Sequence, residues 1–145
     1  MIVSIKLPMP PSVNSIWRRG RNKKTGKSVT YLDAKYKKWK DDAMILLAAQ
    51  HPASIVGHFT AVISLDQSKR GRSDADNRNK AVLDLLEKAG VVENDKLCDS
   101  VTACWTDVDG CLVELEAVAA NTFEPIGKAA ERVVTRIGRQ KEKAA

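Results

Sequence analysis

The sequence predicts an α+β domain in which a small mixed sheet with an antiparallel hairpin is flanked by helices. Several segments alternate apolar and polar residues with the period of a strand, and two longer segments show the three- and four-residue apolar spacing of a helix. With 145 residues, of which 43% are hydrophobic, the chain can bury one ordinary core. We therefore expect a single globular domain.

The strands are predicted from alternation. Residues 2–7 alternate and are followed by a proline-rich stretch that ends the strand. Residues 59–65 alternate in the same way. Residues 101–105 and 112–118 are expected to pair as an antiparallel hairpin across Asp109 and Gly110, because this dipeptide suits a tight turn.

The helices are predicted from apolar spacing and from their end signals. Asp33 can cap the first helix, and the expected apolar face consists of Tyr36, Trp39, Ala43, Leu46 and Leu47. The second helix precedes Gly90, a typical stop signal, and its expected apolar face consists of Ala81, Val82, Leu85, Leu86 and Ala89. We expect the domain to span residues 1–120, followed by a basic helical extension over residues 121–145.

The chain is basic, with 24 Lys plus Arg against 18 Asp plus Glu and a net charge of +6. Such a surface favours a polyanionic partner, although many domains carry this excess for solubility alone. Residues 18–27 contain basic side chains and glycines but no apolar residue, so we expect a mobile loop that clamps DNA phosphates or, alternatively, a solvated connector. The candidate DNA-binding residues are Arg18, Arg19, Arg21, Lys23, Lys24, Lys27, Lys69, Arg70 and Arg72.

Other features narrow the class of protein. Trp17, Tyr31 and Trp39 can stack on unpaired bases, although core packing is the commoner role of such residues. Neither a secretory signal nor an apolar run of membrane-spanning length is present, so we expect a soluble cytoplasmic protein without membrane contact. The spacing of the three cysteines matches neither a zinc ribbon nor a redox pair.

Residues 73–80, which read SDADNRNK, are the most informative stretch for function. If Asp74 and Asp76 lie in an extended segment, both carboxylates point to one side and can share a cation. Mg²⁺ prefers such hard oxygen ligands and keeps water and substrate phosphate in its other positions, which suits phosphodiester hydrolysis. Capping of the following helix is the alternative role for these acids.

Two further residues bear on this site. Lys80 follows Asp76 by one helical turn and can contact a phosphate or the acidic pair. Asp95 belongs to a second acidic turn beyond the helix, and a helix of about a dozen residues would separate the two turns by about 18 Å. Asp95 can therefore join the pair only if the chain doubles back after Gly90.

The stretch from Asp74 to Asp95, taken with the opening strand and the loop at residues 10–14, resembles the RusA family of Holliday junction resolvases, which is common in bacterial prophages. The family's Asp-x-Asp-Asn-x-x-Lys motif is matched here by Asp74, Asp76, Asn77 and Lys80. A Lys-Ala-Gly turn at residues 88–90 and then Asp95 follow in the family's order. The resemblance covers about residues 2–118. Two positions differ from the family pattern: Asn94 replaces a frequent second acid, and Arg78 replaces a frequent apolar residue.

The resemblance implies a RusA-like nuclease domain with a magnesium-dependent, homodimeric endodeoxyribonuclease activity. Such an enzyme resolves four-way DNA junctions by paired symmetric nicks in recombination and repair. Asp74, Asp76 and Asp95 would bind the metal, and Lys80 would be the basic group near the scissile phosphate. Asn14, Asn77 and Asn94 are possible supporting residues. The alternatives are a magnesium nuclease of other branched DNA, such as flaps or loops, and a non-catalytic DNA-binding protein.

Overall fold

The computed structural model describes residues 2–71 and 74–118. The strands are β1 (Ile2–Leu7), β2 (Trp17–Arg21), β3 (Ser28–Leu32), β4 (Phe59–Asp66), β5 (Cys98–Thr106) and β6 (Cys111–Ala117), and the α-helices are α1 (Ala34–Gln50) and α2 (Asn79–Lys88). The predicted extension at residues 121–145 lies outside the described residues, as does Arg72. No helix in the described part of the chain combines the length and the apolar character needed to cross a membrane.

The main sheet is mixed and has the strand order β1-β6-β4-β5. Strand β6 is antiparallel to both β1 and β4, whereas β5 is parallel to β4. A separate antiparallel hairpin consists of β2 and β3. The predicted fold class is therefore confirmed.

The predicted hairpin between residues 101–105 and 112–118 is wrong. The chain turns at Gly110 as expected, with φ of 73°, but β6 passes across the end of β4 and pairs with its far edge. Asp66, the last residue of β4, holds this crossing because its amide N donates to the Gly110 carbonyl oxygen at 2.9 Å. In this position β6 is paired on both edges, and its Val113 and Leu115 are fully buried.

The core lies between one face of the main sheet and the two helices. Alternate residues of β1, β4 and β6 are buried on this face. The predicted apolar face of α2 is confirmed at Ala81, Val82, Leu85 and Leu86. On α1, Tyr36, Trp39, Ala43 and Leu47 are buried, but Leu46 is 41% exposed because it lies at the edge of the apolar stripe.

The basic segment at residues 18–27 is not the mobile loop that its composition predicted. It forms most of the β2–β3 hairpin, in which Trp17 pairs with Leu32 and Arg21 pairs with Ser28. Two hydrogen bonds close the turn, from the Gly26 amide to the Asn22 carbonyl at 2.8 Å and from the Asn22 amide to Lys27 at 2.9 Å. Paired strands satisfy their own backbone groups, so the ribbon forms without apolar side chains.

Asp33 connects the hairpin to α1. Its Oδ2 accepts a hydrogen bond from the Lys35 amide at 3.0 Å, which confirms the predicted helix cap, and its Oδ1 accepts one from Arg18 Nε at 2.8 Å. The hydrogen bond from Arg18 lowers the pKa of Asp33, and the bond from the Lys35 amide adds to the effect. The ionised carboxylate therefore stabilises the fold.

Replacing Asp33 by Asn tests this ionic contribution, because Asn preserves a capping oxygen but carries no charge. A lowered folded pKa stabilises the protein above the ordinary Asp value of about 3.9, and this stabilisation disappears as pH falls through the folded pKa. In urea unfolding, Asp33→Asn should be less stable than wild type at neutral pH, and the difference should shrink as the pH falls through the lowered pKa of Asp33. Asp42→Asn, at an exposed position of α1, is the control. A difference that does not vary with pH would contradict the ionic role.

Candidate active site

The chain reverses direction directly after α2. Gly90 has φ of 76°, and the amide groups of Val91 and Val92 both donate to the Leu86 carbonyl, at 3.0 and 3.4 Å. The returning chain passes back beside the helix, and the Asp95 amide donates to Glu87 Oε2 at 3.4 Å. The reversal that Asp95 needs in order to approach the start of α2 is therefore confirmed.

Lys80 connects the start of α2 to the returning chain. Its Nζ lies 2.8 Å from Asp84 Oδ1 and 3.7 Å from Asp95 Oδ2. The hydrogen bond to Asp84 is the largest cause of a raised pKa at Lys80, and the charge of Asp95 adds to it. Lys80 is therefore a stable cation whose side chain is still 58% exposed to an incoming ligand.

Asp84 is a member of this site that the motif did not indicate. In the sequence it belongs only to the polar face of α2, and its spacing of four residues from Lys80 is the signal that points to an ion pair. Its side chain is 37% exposed, so we assign the pair a role in holding Lys80 in place rather than in stabilising the fold.

Asp74 and Asp76 are both exposed, but they do not lie in an extended segment. Ala75 between them has helical angles, φ −63° and ψ −39°, and Asp76 begins a 3-10 turn that ends at Arg78. The strand alternation that would point both carboxylates to one side therefore does not apply. Side-chain capping does not explain these acids either, because the cap positions of the turn and of α2 are Ala75 and Arg78, without a side-chain cap bond.

A ready-made metal cluster is absent from residues 2–71 and 74–118, where no three His, Cys, Asp or Glu side chains come close enough together to hold an ion. Asp74, Asp76 and Asp95 are thus not gathered in this conformation. Their oxygen donors nevertheless fit Mg²⁺, which is commonly bound by one or two carboxylates and completes its coordination with water and substrate phosphate. Their joint role as metal ligands stays a prediction.

The asparagines have different surroundings. Asn94 Oδ1 accepts a hydrogen bond from the Lys96 amide at 2.9 Å and so caps the short 3-10 turn that begins at Asp95. This contact positions Asp95. Asn77 is half-buried in the 3-10 turn that begins at Asp76. Asn14 is exposed in a second 3-10 turn, Val13–Ser15, which lies close to the first.

Arg78 attaches the proline-rich opening loop to the turn that carries Asp76. Its guanidinium donates to the Pro10 carbonyl oxygen and lies over the Trp105 ring, 5.8 Å from the ring centre. Arg70 lies over the same ring at 5.9 Å. Burial lowers the pKa of Arg78. Trp105 therefore connects the basic segment at Arg70 to the acidic turn, a contact between distant residues that no local pattern indicates.

Loss of the Trp105 ring should loosen both arginines. Each cation–π contact is worth about 0.5–1 kcal/mol at exposed sites and about 2 when desolvated. We therefore expect Trp105→Leu to lower the free energy of unfolding, measured in urea, by about 1–2 kcal/mol, because both contacts are lost. Trp105→Phe should recover most of this loss because it retains a ring. Equal losses in the two variants would contradict a role for the cation–π contacts.

The other candidate DNA-binding residues lie on the surface. Arg19 and Arg21 are exposed on β2, the three lysines of the hairpin are exposed at or near its turn, and Lys69 is exposed after β4. Arg18 is exposed as well, but its Nε is bonded to Asp33. The segment around Lys69 is fixed by Asp66, whose Oδ1 accepts hydrogen bonds from the Ser68 amide at 3.0 Å and the Ser68 hydroxyl at 2.6 Å.

A basic α+β domain with two exposed acids, a lysine that contacts a third acid, and exposed arginines on a hairpin has the features of a nuclease. A comparison with family models identifies the kind of nuclease: the model described as "Endodeoxyribonuclease RusA" matches residues 8–116. The chain therefore belongs to the RusA family of endodeoxyribonucleases, which resolve Holliday junctions. The matched range includes the opening loop, the acidic turns and Lys80. A comparison with curated proteins gives no match.

Proposed function

We propose that this protein resolves four-way DNA junctions by paired symmetric nicks, as a Mg²⁺-dependent homodimer acting in cytoplasmic DNA recombination and repair. The observation that best supports it is the return of Asp95 to Lys80 across α2, with Nζ and Oδ2 at 3.7 Å. An acid that is distant in the sequence thereby lies beside the lysine of the motif. The proposed nuclease unit spans residues 1–120.

We assign the chemistry to four residues. Asp74, Asp76 and Asp95 would bind Mg²⁺, which supplies a Lewis acid that polarises the phosphate and makes a water molecule more acidic. Lys80 donates to a phosphate oxygen and stabilises the negative charge that develops there. Hydrolysis by water requires no covalent bond to the enzyme. Asp84 keeps Lys80 protonated, and Asn94 fixes the turn that presents Asp95.

DNA contacts would come from the hairpin and from the segment after β4. Arg19, Arg21 and Lys69 are exposed and free to reach backbone phosphates. Backbone contacts of this kind release counterions, so junction binding should weaken steeply as salt rises. Paired nicks on opposing strands require two active sites related by a two-fold axis, which is the physical reason for proposing a homodimer.

Cleavage of a synthetic four-way junction tests the proposal. The purified protein is incubated with the junction, a flap and a linear duplex of matched sequence, with Mg²⁺ or with EDTA, and the nicks are mapped on each strand. We expect paired nicks at symmetric positions, only in the junction and only with Mg²⁺. Equal cutting of all three substrates would contradict junction resolution, and a strictly monomeric protein on DNA would contradict the paired mechanism.

A further inference from the structure

A cleft of about 530 Å³ lies beside the candidate active site, between the hairpin and the two helices. This volume is within the range of roughly 300–1,000 Å³ that is typical of small-molecule sites. Its apolar wall includes Leu32, Tyr36 and Leu85, and Trp17 lies at its edge. Trp17 is 59% exposed although it is the largest apolar side chain of the hairpin. Its indole is therefore available to a ligand.

The cleft continues onto the basic face of the hairpin. Side chains alternate between the two faces of a strand, so Trp17, Arg19 and Arg21 share one face of β2. Tyr31, which is 50% exposed, lies on the opposite face together with Arg18. One face of the hairpin therefore combines an exposed indole with two arginines.

The opposite rim of the cleft has a second basic feature. Lys40 from α1 and Lys88 from α2 both line it, so two ammonium groups lie on this rim. The nearby Lys88 is the largest cause of a lowered pKa at Lys40. Two ammonium groups held together repel each other, and an anion placed between them would relieve the repulsion.

The acids of the cleft are engaged by other groups. Asp84 forms its ion pair with Lys80 at 2.8 Å, and Glu87 accepts the hydrogen bond from the Asp95 amide. These contacts also make the cleft continuous with the candidate active site, because Asp84 and Glu87 face both. A ligand in the cleft would lie beside the phosphate that Lys80 contacts.

We propose that this cleft binds one unpaired nucleotide of the DNA substrate, with the base stacked on Trp17 and its phosphate held by Lys40 and Lys88. Aromatic side chains stack on bases of any sequence, and basic grooves follow the backbone of single strands. A base inside a duplex is stacked on both faces, so it cannot offer a face to Trp17. Leaving the stack is least costly for a base that is already unpaired. The inference rests on the proposed function, because a base at the branch point of a paired four-way junction would have to leave its partner to enter the cleft.

The test uses a single-stranded oligothymidylate with a central 2-aminopurine, in EDTA so that cleavage does not interfere. Stacking on Trp17 should quench the 2-aminopurine fluorescence. Trp17→Ala should abolish the quenching and weaken binding about tenfold, and Trp17→Phe should restore part of both. Tyr31→Ala is the matched control, because it removes a similarly exposed aromatic ring from the opposite face of the same hairpin. We expect it to bind like wild type.

The two lysines are tested through salt dependence. The double variant Lys40→Gln, Lys88→Gln should lower the slope of log affinity against log salt by about 0.7, the value for one phosphate contact in a single strand. An unchanged slope would overturn the phosphate contact. Unchanged binding in Trp17→Ala, or an equal loss in Tyr31→Ala, would overturn the base contact.

Cleavage of the four-way junction with Mg²⁺ separates this inference from the proposed function. If wild type cuts the junction and Trp17→Ala cuts it at the same rate, the cleft is not used and the resolvase proposal stands. If wild type fails to cut the junction but Trp17→Ala weakens oligonucleotide binding, the resolvase proposal falls and the nucleotide site stands. Trp17→Ala should also leave linear duplex binding unchanged, because a duplex offers no unpaired base.

Discussion

Asp76→Asn is expected to reduce cleavage of a four-way junction by at least about a thousandfold, which corresponds to about 4 kcal/mol of transition-state stabilisation. The substitution preserves the size of the side chain but removes the charge that would bind Mg²⁺. The same result is expected for Asp74→Asn. Junction binding should persist or tighten, because removing a negative charge at an exposed position eases the approach of phosphate.

Single-turnover cleavage and a separate binding titration in EDTA measure the two effects independently. Asp42→Asn is the matched control, because it removes one charge from an exposed position of α1. It should cut and bind like wild type. Retained cleavage in either Asp74→Asn or Asp76→Asn would refute the site assignment, and loss of binding in both would indicate that the acids maintain the fold instead.

Local patterns predicted the elements of the fold but not all of their pairings. The sequence predicts β1, β4 and the apolar face of α2 correctly, because each of these patterns depends on residues that are close together along the chain. The position of β6 between β1 and β4 depends on contacts between distant segments. The Asp109-Gly110 turn has the same local chemistry whether the following strand pairs with β5 or crosses the end of β4, so composition could not decide between them.

The site shows the same limit. Gly90 is a local signal for the end of α2. The chain reversal at Gly90 brings Asp95 to Lys80, which is the condition that the sequence set for Asp95 to join the site. The extended geometry that would point Asp74 and Asp76 to one side is not adopted, because the backbone already turns helical at Ala75 before α2 begins. The residues that hold the opening loop, Arg78 and Trp105, belong to segments whose contact exists only in the folded chain.

The charge run at residues 18–27 shows why composition alone misleads about order. Its lack of apolar residues excludes it from the core, and this part of the prediction is correct, since all of its side chains except Gly20 are exposed. Backbone pairing orders the hairpin nevertheless. An ordered ribbon presents Arg19 and Arg21 on a defined face, which a mobile loop would not do.

Lys80→Met is expected to lower the cleavage rate by about a hundredfold, the usual cost of removing one preorganised donor to a developing negative charge. Methionine preserves most of the side-chain length without the ammonium. Because Lys80 is 58% exposed and its ion pairs are partly solvated, the free energy of unfolding should change little. Urea unfolding checks stability, and single-turnover cleavage measures the rate.

Asp84→Asn separates the two roles of this lysine. If Lys80 acts on the phosphate, losing the 2.8 Å contact between Lys80 Nζ and Asp84 only makes the ammonium group more mobile. The cleavage rate should then fall by less than about tenfold. Lys80→Arg should retain part of the activity, because it keeps a cation near Asp95. If Asp84→Asn and Lys80→Met lower the rate equally, the ion pair itself is what cleavage requires. Lys80 would then act through its contact with Asp84, and the assignment of a direct role at the phosphate would be wrong.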